Sequence, residues 1–177
     1  IDGDLRRGRA YKLFAVQNKP GLSNVLKNEI TLEESLRPTA AEHLTVLPCG
    51  KHLNSASELL DSHRFASLMA ELRSRYQRII IDSPPVLGLS ETIIMQRFTD
   101  GIMLVIWSDF TPMSSVKAAV QTLSVNGAKF LGFVLNRLDF STLGNRYKYF
   151  YYAPLYYTNY QPLPPPSSPA PLVESKG

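Results

Sequence analysis

The chain has 177 residues, 44% of them hydrophobic, and a formal net charge of +4. That length and apolar content suit one globular domain with a tail and exclude a wholly disordered chain. The excess of basic residues is small and scattered, which excludes a nucleic-acid-binding stripe; the single cysteine, Cys49, excludes an intrachain disulfide and any multi-cysteine metal site.

Ile1-Asp2-Gly3-Asp4 reads as the end of a strand entered partway along. Residue 1 is Ile and not Met, so the chain is read as a fragment whose natural start lies elsewhere. No secretory signal is read, and no apolar run approaches the roughly 20 residues that span a bilayer. LTVL (44–47) is a short buried strand ended by Pro48. Residues 57–76 place Leu59, Leu60, Phe65, Leu68, Met69, Leu72 and Tyr76 at helical spacing, predicting one amphipathic helix capped by Ser55 or Ser57. Residues 78–82, Arg-Ile-Ile-Ile-Asp, form an apolar run halted by Ser-Pro-Pro, the pattern of a strand buried on both faces. A short helix begins at Ser90 and runs to 98. GIMLVIW (101–107) is another buried strand. Pro112 opens a helix that runs to about Val125 and is closed by Gly127, and KFLGFVLN (129–136) is the last strand. This alternation predicts a doubly wound, mostly parallel α/β sheet over residues 1–140.

Residues 141–177 differ in character. They hold seven of the nine tyrosines (Tyr147, Tyr149, Tyr151, Tyr152, Tyr156, Tyr157 and Tyr160) and the run PLPPPSSPAP. Such a composition builds no packed core, so the end of the chain is expected to be extended and disordered. The tyrosines could form an aromatic, β-prone segment or stack on single-stranded nucleic acid, but the basic residues are too few for the latter. The PxxP spacing could also meet an aromatic groove. None of His43, His52 and His63 has metal-ligand spacing with Cys49.

In doubly wound sheets ligands bind at the C-terminal ends of the strands. Asp2 and Asp4, then Asp82, then Asn136 and Arg137 occupy such ends. A lone Asp there is usually a turn cap. Three carboxylates at one edge repel each other unless a cation sits among them, and magnesium suits one or two carboxylates together with nucleotide phosphates. The Pro pair beside Asp82 fixes the backbone next to that carboxylate.

IDGDLRRG resembles the Walker A′ motif of bacterial tyrosine kinases, and IIIDSPPVLGLSE resembles their Walker B motif. Between them KPGLSNVLKNEITLEESL, HLTVLPCG and SELLDSHRF follow the family's order, and the tyrosine cluster completes the pattern. The resemblance is to the capsule and exopolysaccharide tyrosine autokinases of deviant-Walker P-loop type, and it covers residues 1 to about 160. It implies ATP and Mg2+ as cofactors. Asp2 and Asp4 would hold the magnesium shell and accept the proton of the attacking tyrosine, and Asp82 would orient the metal. Arg6, Asn136 and Arg137 would contact nucleotide, and Tyr147 through Tyr160 would be the phosphate acceptors, phosphorylated in trans. It further implies a ring-shaped homo-oligomer, a membrane polysaccharide co-polymerase segment or subunit, an opposing tyrosine phosphatase, and a place on the cytoplasmic face of the bacterial inner membrane.

The sequence departs from the pattern in three places. No Gly-rich Lys-Ser/Thr phosphate loop occurs in it; that loop is expected upstream of Ile1, and the fragment alone is expected to bind nucleotide poorly. Ser90-Glu91-Thr92 stands where the family has Ser/Thr-Asp-Ala, and KHLNSASELL lacks the expected prolines. A related ATPase switch of the site-positioning or partitioning kind, and a non-catalytic adaptor, are the competing readings. The first more often ends in a membrane- or DNA-binding helix than in a tyrosine tail.

Overall fold

The computed structural model describes residues 1–54 and 56–138. Ser55 and the tyrosine cluster lie outside them. The elements in chain order are α1 (Ala10–Leu13), α2 (Leu22–Leu26), α3 (Leu32–Ser35), β1 (Arg37–Pro38), β2 (Thr45–Val46), α4 (Ser57–Leu60), α5 (His63–Arg75), α6 (Glu91–Gln96), β3 (Ile102–Trp107), α7 (Met113–Val125) and β4 (Phe130–Asn136). The fold is α/β. β3 and β4 pair in parallel, β1 and β2 form a small antiparallel pair, and Asp2 and Asp82 form an isolated parallel bridge.

That bridge is the centre of a three-segment ladder. Asp82 N donates to Ile1 O at 2.9 Å and Gly3 N donates to Asp82 O at 2.7 Å, while on the other side Asp2 N donates to Leu47 O at 2.9 Å. Residues 1–3 therefore run between 45–47 and 80–82. Beneath them lies the core, in which Leu5, Leu22, Leu47, Leu60, Phe65, Leu68, Met69, Leu72 and Met95 are buried together. Phe65 meets Phe98 edge to face, with ring centroids 5.1 Å apart.

The expected helix over 57–76 is two helices. α4 ends at Leu60, and Ser62 takes an extended backbone whose side-chain oxygen accepts from Phe65 N at 3.3 Å, starting α5. Apolar spacing continues through this break because Leu60 and Phe65 both reach the same core. The cap of α4 is Ala56, so Ser57 is its first helical residue. Pro112 and Gly127 bound α7 as expected; Gly127 takes φ +83° and its N–H closes on Ser124 O.

The strands expected to be buried on both faces are not. Ile79 and Ile81 pack against the core, but Ile80 is 81% exposed. In β3–β4 one face is half-buried, and the other presents Met103, Val105, Trp107, Leu131, Phe133 and Leu135 to solvent. Side chains alternate across a strand, so a second covering layer is needed to bury both faces. No described element lies over the outer face.

Candidate active site

The parallel register of 1–3 on 80–82 brings Asp2 and Asp82 to the same rung of the ladder. Asp2 is fully buried. Its Oδ2 accepts from Ala10 N at 3.0 Å, tying the turn over 4–10 back onto the strand. Its Oδ1 is buried with no hydrogen-bond partner. Gly8 closes this turn because nothing larger fits: a Cβ there would overlap both carboxylate oxygens of Asp2.

Burial raises the pKa of Asp2 above the ordinary carboxylate value, Asp82 and Asp4 adding to the effect and the Ala10 hydrogen bond opposing it. Asp82 is raised as well, by desolvation first and by the nearby Asp4 charge second. Repelling carboxylates, one with a bare buried oxygen, suit a hard divalent cation. Among the described residues no three His, Cys, Asp or Glu side chains come together closely enough to hold one metal ion. A cation here would complete its shell with other oxygens, which is how magnesium commonly binds beside phosphates.

Asp4 is half-engaged. Its Oδ1 accepts from Arg6 N at 3.0 Å and Arg7 N at 2.8 Å, the turn cap expected of an Asp in this position. No hydrogen bond among the described residues uses its Oδ2.

Arg6 points to a residue outside the expected site. Its Nε donates to Glu91 Oε1 at 2.7 Å, and the Glu91 side chain is 2% exposed. Glu91 opens α6, the helix after the Asp82 segment, and the neighbouring Thr92 hydroxyl donates to Pro84 O at 2.7 Å. The pair therefore joins the Asp2–Asp4 turn to the Asp82 segment. Only the unusual Ser-Glu-Thr at 90–92 hinted at this in the sequence.

Asn136 and Arg137 form a separate group at the end of β4. Arg137 has φ +57°, its N–H donates to Asn136 Oδ1 at 2.9 Å, and its guanidinium lies 4.1 Å from the Trp107 ring centroid. Trp107 also packs on Phe110, with centroids 4.3 Å apart. No hydrogen bond among the described residues links this group to Asp2, Asp4 or Asp82. Trp107 was not among the expected nucleotide contacts, because it reads in the sequence as one more residue of an apolar strand.

The acceptor candidates Tyr147, Tyr149, Tyr151, Tyr152, Tyr156, Tyr157 and Tyr160 lie outside the described residues. Cys49 is buried; desolvation pushes its thiol up to about 12, which makes it unreactive.

Comparison with known proteins agrees with this geometry. A family model described as an AAA domain matches residues 1–127. The chain is 36% identical over 150 residues to a putative tyrosine-protein kinase, CapB, of Staphylococcus aureus, covering 85% of this chain and 66% of the relative. It is 34% identical to the tyrosine-protein kinase ptk of Acinetobacter johnsonii, covering 81% of this chain but 20% of that one. Among solved structures the VpsO kinase domain superposes with a TM-score of 0.73 at 34% identity, covering 78% of this chain and 68% of that domain. The chain thus spans less than two thirds of the length of these curated relatives. A matched family model over most of the chain, with kinase-domain relatives in sequence and structure, places it in the P-loop AAA-domain family, among the bacterial tyrosine-protein kinase domains.

Proposed function

We propose that this chain is the carboxylate-bearing part of an ATP-dependent protein-tyrosine autokinase acting on its own C-terminal tyrosines in trans, and that its parent protein serves capsule or exopolysaccharide synthesis. The observation that carries the reading is the pairing of buried Asp2 with Asp82 beside the half-free carboxylate of Asp4. Phosphoryl transfer asks little covalent chemistry of a protein; it asks for positioning, charge and a carboxylate near the nucleophile.

The residues divide the work as follows. Asp2 and Asp82 would hold magnesium, which when bound with ATP neutralises phosphate charge. Asp4, with one oxygen fixed by the Arg6 and Arg7 amides, keeps the other for the proton of the attacking tyrosine hydroxyl. Tyrosine ionises near pH 10, so this acceptance assists as the new O–P bond forms. The γ-phosphoryl group passes to the tyrosine oxygen and ADP leaves. Glu91 holds Arg6 across the site and keeps the turn in register with the Asp82 segment. Trp107, Asn136 and Arg137 offer a flat ring, an amide and a cation suited to an adenine base. The phosphate loop would come from a part of the parent protein outside these 177 residues.

The family setting supports further proposals: assembly as a homo-oligomer, a membrane polysaccharide co-polymerase segment or subunit as neighbour, an opposing tyrosine phosphatase, and residence at the cytoplasmic face of the inner membrane. Among the described residues no helix is long and apolar enough to cross a membrane.

The test is a phosphotransfer assay on the parent cytoplasmic domain, with ATP and magnesium and phosphotyrosines mapped by mass spectrometry. Phosphate within 147–160 that disappears in Asp4→Asn is the expected result. ATP hydrolysis without phosphotyrosine would favour the site-positioning ATPase reading instead.

A further inference from the structure

Behind the Asp2–Asp4 turn lies a cavity of about 580 Å³ lined by Tyr11, Asn18, Lys19, Gly50, Lys51 and His52. It is open to solvent, with Lys19, Lys51 and His52 exposed around it. Lys19 and Lys51 bring two ammonium groups to the lining, and no acidic side chain contributes to it. The floor is fixed. Asn18 donates to Gly50 O at 2.8 Å and accepts from Gly50 N at 3.2 Å, and Gly50 holds φ +81° with Ser23 and Asn24 packed where a side chain would stand. His52 Nε2 lies 3.2 Å from Gly8 O, so the cavity wall touches the turn that covers Asp2. The described active-site groups use none of Lys19, Lys51 or Tyr11.

We propose that this cavity binds a phosphate monoester carried on a tyrosine side chain, holding an already phosphorylated segment while another tyrosine reacts. The inference rests on the autokinase reading for the identity of its ligand. Two lysines supply charge and hydrogen-bond donors for a phosphate dianion, and Tyr11 supplies a ring face for the phenyl group. Charge makes the cavity selective. The segment 146–160 carries Arg146 and Lys148 and no acidic residue, so in its unmodified form it is cationic and repelled by Lys19 and Lys51. Each phosphorylation adds nearly two negative charges and reverses the sign of that interaction.

The experiment is fluorescence anisotropy with labelled synthetic peptides of residues 146–160, titrated with the 177-residue chain. The phosphotyrosyl peptide should bind about tenfold or more tighter than the unmodified one and weaken as salt rises. Lys51→Glu and Lys19→Glu should each lose most of that preference, and the milder Lys51→Ala should lose part of it. Equal affinity for the two peptides, or variants that bind like the original chain, would overturn the proposal. Displacement by inorganic phosphate or ATP at the same concentration as unlabelled phosphopeptide would overturn the assignment to tyrosine. Synthetic phosphopeptide needs no kinase activity, so failure here leaves the autokinase reading standing, and loss of that reading is seen only in the phosphotransfer assay.

Discussion

Two apolar regions of this chain meet different fates. The residues around Phe65 are sealed beneath the ladder of 1–3, 45–47 and 80–82, whereas β3–β4, equally apolar in sequence, leaves one whole face in water. An apolar run says that burial is favourable and says nothing of whether a partner is present to supply it. Ile80 makes the point within one segment: its neighbours Ile79 and Ile81 face the core while it stands 81% exposed.

The contrast can be broken by substitution. Phe65→Ala removes a fully buried ring and should cost about 3–5 kcal/mol in urea unfolding. Phe133→Ser, on the open face of β4 at 56% exposure, should stay within about 0.5 kcal/mol and reduce self-association. Equal costs at the two positions would contradict the exposed face.

Arg6→Ala leaves the Glu91 carboxylate buried without its cation and should cost roughly 3 kcal/mol. Glu91→Gln leaves the partly exposed Arg6 able to reach water and should cost clearly less by the same unfolding measurement. The reverse order would mean that Glu91 is held by something other than Arg6.

Ser62→Ala removes the cap that divides α4 from α5 and should cost about 1 kcal/mol. The sequence carried this signal, a serine three residues before Phe65, but unbroken apolar spacing masked it. Pro112 and Gly127 were readable because each acts locally: proline fixes its own φ, and glycine accepts the positive φ that ends the helix. The Asp2–Asp82 rung was half readable: both residues end strands, yet the burial of Asp2 depends on a turn folding back through Ala10. The Arg6–Glu91 pair was not readable, since its residues are 85 positions apart and a buried charge announces itself only through its partner.

The smallest expected effect is in pH. Asp2 and Asp82 have raised folded-state values, so between the ordinary carboxylate value of 3.8 and those raised values the native state binds more protons than the unfolded chain. Stability therefore falls as pH rises through that window, and it is greatest at the acidic end. Asp2→Asn keeps an acceptor for Ala10 N and removes the buried charge, so its stability should vary less with pH over the same range, as read from denaturation midpoints.

The ladder brings Asp2 and Asp82 together, and their proposed role is to hold a cation for phosphoryl transfer. It is tested most directly by ATP affinity, measured by calorimetry on the parent domain that includes the phosphate loop, with magnesium and with a chelator. Removing magnesium should weaken binding strongly in the original protein, and Asp82→Asn should abolish most of this dependence. An Asp82→Asn domain whose ATP affinity keeps its full dependence on magnesium would contradict it.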